Sequence, residues 1–417
     1  MGKGNRIFYG WWIVAATFGM WFTGAASPFA IILKQLMVEF NIGRGPISFL
    51  PTIFSIAGGI TALFVGRLLK NRHPQKFILW GSVVGGTVFL LGSVTRDLWQ
   101  LYVIYTLSGA VLSGAAGGVS VIILLSKWFN RKRGLAVGIA LSGMAFGSLV
   151  LNPVLAEIAV NFGWRATYVF AGALILLINV PVAIFVLKGT PEERGVLPDG
   201  IIPSAAEITT AAKTTTISSE INPKSMGLLA YLKHPGVWLV CLCFLLMSMG
   251  STAIMQHEVS FLTDSGISTT LAASALGFTG GICGIAGLIS GWLADRMPRK
   301  YVTMIFALIT LAGILVLMRA DTMPLVWLFV VIFGFGSGAA GIIFPLIIGD
   351  IVGPAGFSTV FGFANMAFCL GWALGAPLAG FIFDATNSYT WVFIIAAIFQ
   401  AVAIPAIYGA YRSRQKI

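Results

Sequence analysis

The chain has 417 residues, 58% of them hydrophobic and 10% charged, whereas a soluble domain carries roughly 25% charged residues; this excludes a water-soluble globule. The net charge of +12 does not indicate a nucleic-acid partner, because the basic residues lie in short runs between apolar segments and form no continuous basic face. A bilayer core of ~30 Å is crossed by ~20 apolar residues in a helix, and the charges and turn residues divide the chain into twelve such crossings.

The first, 11–38, opens on Trp11 and Trp12 as interfacial anchors. It is too long for a signal-peptide core, so it is expected to be retained. Thr23 and Ser27 are four apart and are expected on one face of it, and Lys34 lies in its last turns. Segments 47–69, 77–95 and 100–126 follow, then 134–162, which carries Asn152 before Pro153 and Glu157 near its far end, and 165–187. The polar run 188–235 is read as a linker, and its Thr209 to Ser219 stretch, without apolar period, is expected to be flexible. Segments 236–261, 270–292, 300–319, 325–348, 357–383 and 389–411 make a second set of six. The first of these carries Ser248, Thr252 and the run Gln256-His257-Glu258, and the fifth carries Asn365 and Cys369, four apart on one helix face.

Ser-Gly-Ala-Ala-Gly occurs at 113–117 and again at 337–341. At nearly the same offset Gly66 returns as Gly291, Gly138 as Gly362, Gly147 as Gly371, Pro153 as Pro377, and Thr167-Tyr-Val-Phe170 as Thr390-Trp-Val-Phe393. A tandem duplication of an apolar unit implies a secondary transporter with its substrate site between the repeats. The expected architecture is an all-α membrane protein of twelve transmembrane helices in two pseudo-symmetric six-helix bundles, 1–187 and 236–417, joined by the 188–235 linker.

With both termini on the cytoplasmic side, only Lys34, Arg44, Arg96, Arg165 and Arg319 of the 26 lysines and arginines fall outside. That asymmetry satisfies the positive-inside rule and encodes the orientation; a cytoplasmic (inner) membrane is the expected location. Cys241, Cys243, Cys283 and Cys369 lack metal or disulfide spacing and read as core residues. Gly336, Gly338 and Gly341 spell a dinucleotide fingerprint without its strand and turn, so they are read as packing glycines, as are Gly114/Gly118, Gly134/Gly138 and Gly334/Gly338. No acid, base and nucleophile grouping appears, so no enzyme, metal or cofactor is expected.

Gly291-Trp-Leu-Ala-Asp295-Arg296-Met-Pro-Arg299-Lys300 resembles the loop signature of the major facilitator superfamily. Tyr9-Gly-Trp-Trp-Ile-Val14, Trp128-Phe-Asn-Arg-Lys-Arg-Gly-Leu-Ala-Val-Gly138, Phe261-Leu-Thr-Asp264-Ser-Gly-Ile267, Phe381-Ile-Phe-Asp384 and Ser388-Tyr-Thr-Trp391 are similar to its monocarboxylate and oxalate–formate branch. The resemblance implies that fold, alternating access, and symport or antiport of a small carboxylate, often with a proton, by a protein that works as a monomer. It also implies a gating latch in which Asp295 and Arg296 meet the turn around Arg131 and Arg133. The first copy of the signature has Lys70 in place of the aspartate, so a reversed pairing of Lys70 with Asp350 is conceivable.

The branch's arginine of the eighth helix is absent, which leaves a carrier of neutral or amphipathic molecules as the alternative, and a non-transporting receptor on the same fold as a third reading. The candidate substrate-binding residues are Lys34, Ser27, Asn152, His257 and Asn365. His257 is the candidate proton carrier, since its ordinary pKa of ~6.5 lets it titrate near neutrality.

Overall fold

The computed structural model describes residues 8–69, 73–187, 191, 196–200, 228–320 and 322–413. Lys70 and the Thr209 to Ser219 stretch lie outside them. Among the described residues, twelve helices are long and apolar enough to cross a membrane: α1 (Tyr9–Phe40), α2 (Arg44–Ala62), α3 (Pro74–Gly92), α4 (Leu98–Trp128), α5 (Arg133–Phe162), α6 (Trp164–Val186), α7 (Pro235–Asp264), α8 (Thr269–Ala294), α9 (Arg299–Leu317), α10 (Met323–Gly353), α11 (Val360–Thr386) and α12 (Thr390–Ser413). Each matches one of the twelve expected segments within a few residues.

Local sequence explains the interruptions. The chain leaves the helix at 25–28 within α1, just ahead of Phe29, where Pro28 supplies no amide donor. This corrects one expectation. Thr23 is buried and its hydroxyl lies 2.9 Å from Asn179 Oδ1 on α6, whereas Ser27 falls in the break and is exposed, so the two do not share a face. Between α10 and α11 the backbone turns at Gly353 with φ +70°, a conformation that costs glycine little.

Twelve crossings return the chain to the side on which it began. The start of α1, the end of α6, the start of α7 and the end of α12 share this terminal side, and the α1–α2, α7–α8 and α11–α12 connections lie on the far side. Buried apolar side chains form three cores, and their membership defines the state of the molecule. One core joins α1 (Ile32, Leu36) and α5 (Leu155) to α7 (Ile254, Leu262) and α8 (Ala272, Leu276) in the far half. The other two lie in the terminal half, and each belongs to a single bundle: Ile13, Leu124 and Trp128 in the first, Val240, Phe306 and Ile347 in the second. The bundles are therefore packed together on the far side and packed separately on the terminal side.

Small residues permit that closure. In lipid, helices associate by close packing at small side chains, and α8 meets α5 through Gly277, Gly280 and Gly284 against Ser148, Leu149 and Ala145. A Cβ on Gly277 would come within 2.9 Å of the Ser148 carbonyl oxygen. Gly114, Gly334 and Gly338 also pack closely against neighbouring helices, as expected. Gly134 and Gly138 do not: both face open space, as does Gly362, the repeat counterpart of Gly138. Gly138 lies seven residues before Ala145, on the same side of α5, but in the terminal half where the bundles stand apart.

Candidate functional site

Where the bundles meet on the far side, charged residues are sorted by bundle. The first bundle brings Lys34 from α1 and Arg44 from the first turn of α2. The second brings Asp264 from the end of α7, Asp384 from α11, and His257 and Tyr389 from α7 and the start of α12. Lys34 Nζ lies 2.5 Å from Asp264 Oδ1, and Arg44 Nη2 lies 2.8 Å from Asp264 Oδ2. The Arg44 guanidinium is buried, stacks 3.6 Å from the Phe383 ring centre and donates to the Tyr389 hydroxyl. Asp384 accepts from the backbone N–H groups of Arg44 and Gly45 at 2.8 and 2.7 Å, so its carboxylate sits on the positive end of the α2 dipole. Gly45 is required there, since any side chain would run into Phe381. Two turns further in, the Thr52 hydroxyl donates to the Ala373 carbonyl.

The protonation pattern of His257 follows from its partners. Nε2 lies 3.0 Å from the Ala376 carbonyl, which can only accept, so Nε2 carries hydrogen. Nδ1 lies 2.9 Å from the Tyr389 hydroxyl. Because Arg44 donates to that oxygen, the phenol proton is free to be donated to Nδ1. The relay from Arg44 through Tyr389 and His257 to Ala376 is complete with a neutral imidazole, and Ser48 Oγ, 3.2 Å from Nε2, ties the ring to the first bundle.

The other expected residues occupy different places. Asn152 is buried beside the α5–α8 seam and donates to Ser148 Oγ at 3.0 Å. Asn365 and Cys369 do share a face of α11, with Nδ2 3.6 Å from Sγ, and Cys369 is exposed. Ser248 and Thr252 make helix-to-helix and intrahelical bonds, Ser248 reaching the Phe368 carbonyl of α11. Glu157 accepts from the Thr270 hydroxyl at 2.8 Å, an additional link between bundles.

On the terminal side Asp295 is exposed and Arg296 stacks on Trp292 at 3.8 Å. The turn at Arg131 and Arg133 is met by a different carboxylate: Asp199, from the linker, accepts from the backbone N–H groups of Asn130, Arg131 and Lys132 at 3.1, 2.7 and 3.2 Å. Burial raises the Asp199 pKa, but these three donors and the nearby Lys132 charge outweigh it and hold the carboxyl below its ordinary value. Asp350 is engaged within its own bundle, by Arg299 at 2.5 Å and Tyr411 at 2.6 Å.

Sequence reasoning missed Arg44, Asp264, Asp384 and Tyr389 as a group. The available signals were an arginine at a helix start and the acidic ends of two apolar segments. Neither shows that residues up to 345 positions apart converge.

Twelve spans in two bundles, closed against each other on one side only, fit an alternating-access carrier, and the sequence comparison decides the family. The model of the major facilitator superfamily matches residues 13–376. The chain belongs to the major facilitator superfamily. It is 27% identical over 426 residues to monocarboxylate transporter 12 of Mus musculus, covering 95% of this chain and 85% of that one. It is 23% identical to an uncharacterized MFS-type transporter, YcxA, of Bacillus subtilis, covering 97% and 96%. Among solved structures, a bacterial homologue of the human lysosomal transporter Spinster, in an inward-facing and occupied conformation, superposes with a TM-score of 0.76 at 13% identity over 98% of both chains. The nucleoside transporter NupG superposes with a TM-score of 0.75 at 12% identity, covering 97% of this chain and all of that one. As a superfamily member the chain is a multi-pass membrane protein of a transporter family.

Proposed function

We propose that this protein is a secondary active transporter of a small organic acid, taking it across an inner membrane by alternating access with both termini in the cytoplasm. The supporting observation is the sorting of charge at the far-side gate. In the closed state Lys34 and Arg44 of one bundle share Asp264 of the other, and Asp384 accepts from the backbone at the start of α2. When the bundles part on that side, Lys34 and Arg44 of the first bundle are left at the mouth of the opening without Asp264. A charge left unpaired in a partly dry cleft is costly. A substrate carboxylate can take the place of Asp264, which gives the anion a cationic site although α8 contains no lysine or arginine.

Ser27, Asn152 and Asn365 are the uncharged contacts proposed along the path, and Asp295 with Arg296 is proposed to latch the terminal side against Arg131 and Arg133 once that side closes. Proton coupling is assigned to His257. Opening withdraws Ser48 and Arg44 from its neighbourhood and breaks the relay that keeps the ring neutral, so the exposed imidazole can take a proton with the anion.

The test is uptake of labelled L-lactate, pyruvate and oxalate into vesicles containing the purified protein, with and without an inward proton gradient. The expected outcome is uptake of at least one acid. Lys34→Gln should weaken its affinity at every pH, and His257→Gln should abolish gradient-driven accumulation while exchange persists. Equal transport of an uncharged probe by wild type and Lys34→Gln, with no acid taken up, would favour the neutral-substrate reading that the uncharged α8 supports.

A further inference from the structure

Glu258 follows His257 in sequence but faces the other way. Adjacent helical residues point ~100° apart, so while His257 enters the gate between bundles, Glu258 enters the interior of the second bundle against α8. It is 1% exposed. Its Oε1 lies 3.1 Å from Thr279 Oγ1, its Oε2 has no hydrogen-bond partner, and among the described residues it takes part in no ion pair.

Among the described residues, none forms an ion pair with a charge there. Along α8 the ionisable side chain is the Cys283 thiol, one turn beyond Thr279. Arg299, Lys300 and Tyr301 of α9 and Asp350 of α10 sit at the terminal ends of those helices. Lys34 of α1, Arg44 of α2, His257 and Asp264 of α7, Asp384 of α11 and Tyr389 of α12 are bonded to one another in the gate.

The hydroxyl of Thr279 makes the protonation state legible. Its oxygen is 3.1 Å from Glu258 and 3.0 Å from the Ala275 carbonyl, and a hydroxyl has one proton to donate. If Glu258 were ionised, that proton would be claimed by both oxygens and the second carboxylate oxygen would stand bare in an apolar core. If Glu258 is protonated, its O–H donates to Thr279 Oγ1, Thr279 donates to Ala275, and the buried charge disappears.

We propose that Glu258 with Thr279 is a proton-binding site inside the second bundle, still holding its proton in the far-closed state and separate from His257. Loading transfers one proton from a hydronium to the carboxylate, giving the acid and a water, when the far side opens and water reaches the α7–α8 interface; unloading is the reverse, toward the terminal side after the far side has closed. Glu258 lies six residues, about 9 Å along the axis, from the far end of α7, which places it within reach of that opening. The inference rests on alternating access but not on the organic-acid reading.

The test is infrared spectroscopy of the full-length protein in lipid vesicles without substrate. At neutral pH, well above the carboxylate reference values of about 4, the wild type should show the carbonyl stretch of a protonated carboxylic acid. Glu258→Gln should remove it and His257→Gln should keep it. An unchanged band in Glu258→Gln, or no such band in the wild type, would overturn the proposal; Glu258→Asp, expected to restore the band at a shifted frequency, guards against a folding defect. With L-lactate as probe, a gradient of one pH unit supports up to about tenfold accumulation per coupled proton, and Glu258→Gln should lower that ratio while leaving exchange intact. Full accumulation in Glu258→Gln would also count against the site. Absence of L-lactate transport in the wild type would bear on the organic-acid reading alone, because the spectroscopic result stands without it.

Discussion

Asp264 is the carboxylate on which both gate cations converge, so Asp264→Asn isolates what holds the far side shut. Lys34 and Asp264 are each about one-third exposed, and a pair in that setting is worth only about 0.2–1 kcal/mol. Arg44 is 4% exposed, and a hydrogen bond from a buried charged donor contributes about 1.5–3 kcal/mol. Because Asn retains an acceptor, the net loss should be about 2–3 kcal/mol, and it falls on the far-closed state alone, since these contacts span the two bundles. That is a roughly 30- to 150-fold shift of the equilibrium toward the far-open state. Spin labels on cysteines at Trp99 and Leu328, near the far ends of α4 and α10 in a background without the four native cysteines, would report it by pulsed electron resonance as growth of a longer-distance population. Asp384→Asn, which removes an acceptor from two backbone amides, should act in the same direction. If both variants keep the wild-type distance distribution, the gate is held by the α5–α8 seam and the charge argument fails.

The seam and its open counterpart should respond oppositely to bulk: Gly280→Leu should keep the far side from closing, whereas Gly138→Leu, on the open half of α5, should hold the present state, both read by the same label pair. Asp199 should clasp the start of α5 in a pH-dependent way. Its folded pKa is depressed, so its contribution is present above the unfolded value of about 3.9 and is lost as pH falls through the folded one. Hydrogen exchange at the amides of Asn130, Arg131 and Lys132 should therefore be faster in Asp199→Asn than in wild type at neutral pH and should converge under acid conditions; equal rates at neutral pH would refute the clasp.

The twelve spans, the duplication and the shared face of Asn365 and Cys369 were legible in the sequence because each depends on local quantities: the apolar length needed to cross a bilayer, a repeated string, a helical period of 3.6. Gly334 and Gly338 of α10 were legible as packing residues, but not the partner they pack against, which is α8. Asp295 reads from its motif as the carboxylate for the α5 turn, yet in this state the linker's Asp199 occupies it, because an N-terminal dipole attracts whichever carboxylate the fold brings close. The sequence by itself determined a membrane protein of twelve spans in two repeated halves, since hydropathy leaves no other way to bury such a chain. Only the tertiary structure decided that Lys34 and Arg44 share Asp264, that His257 is neutral in a relay, and that Glu258 stands alone against Thr279. Those are contacts between helices far apart in the chain, and their chemistry is set by which groups meet once the bundles close.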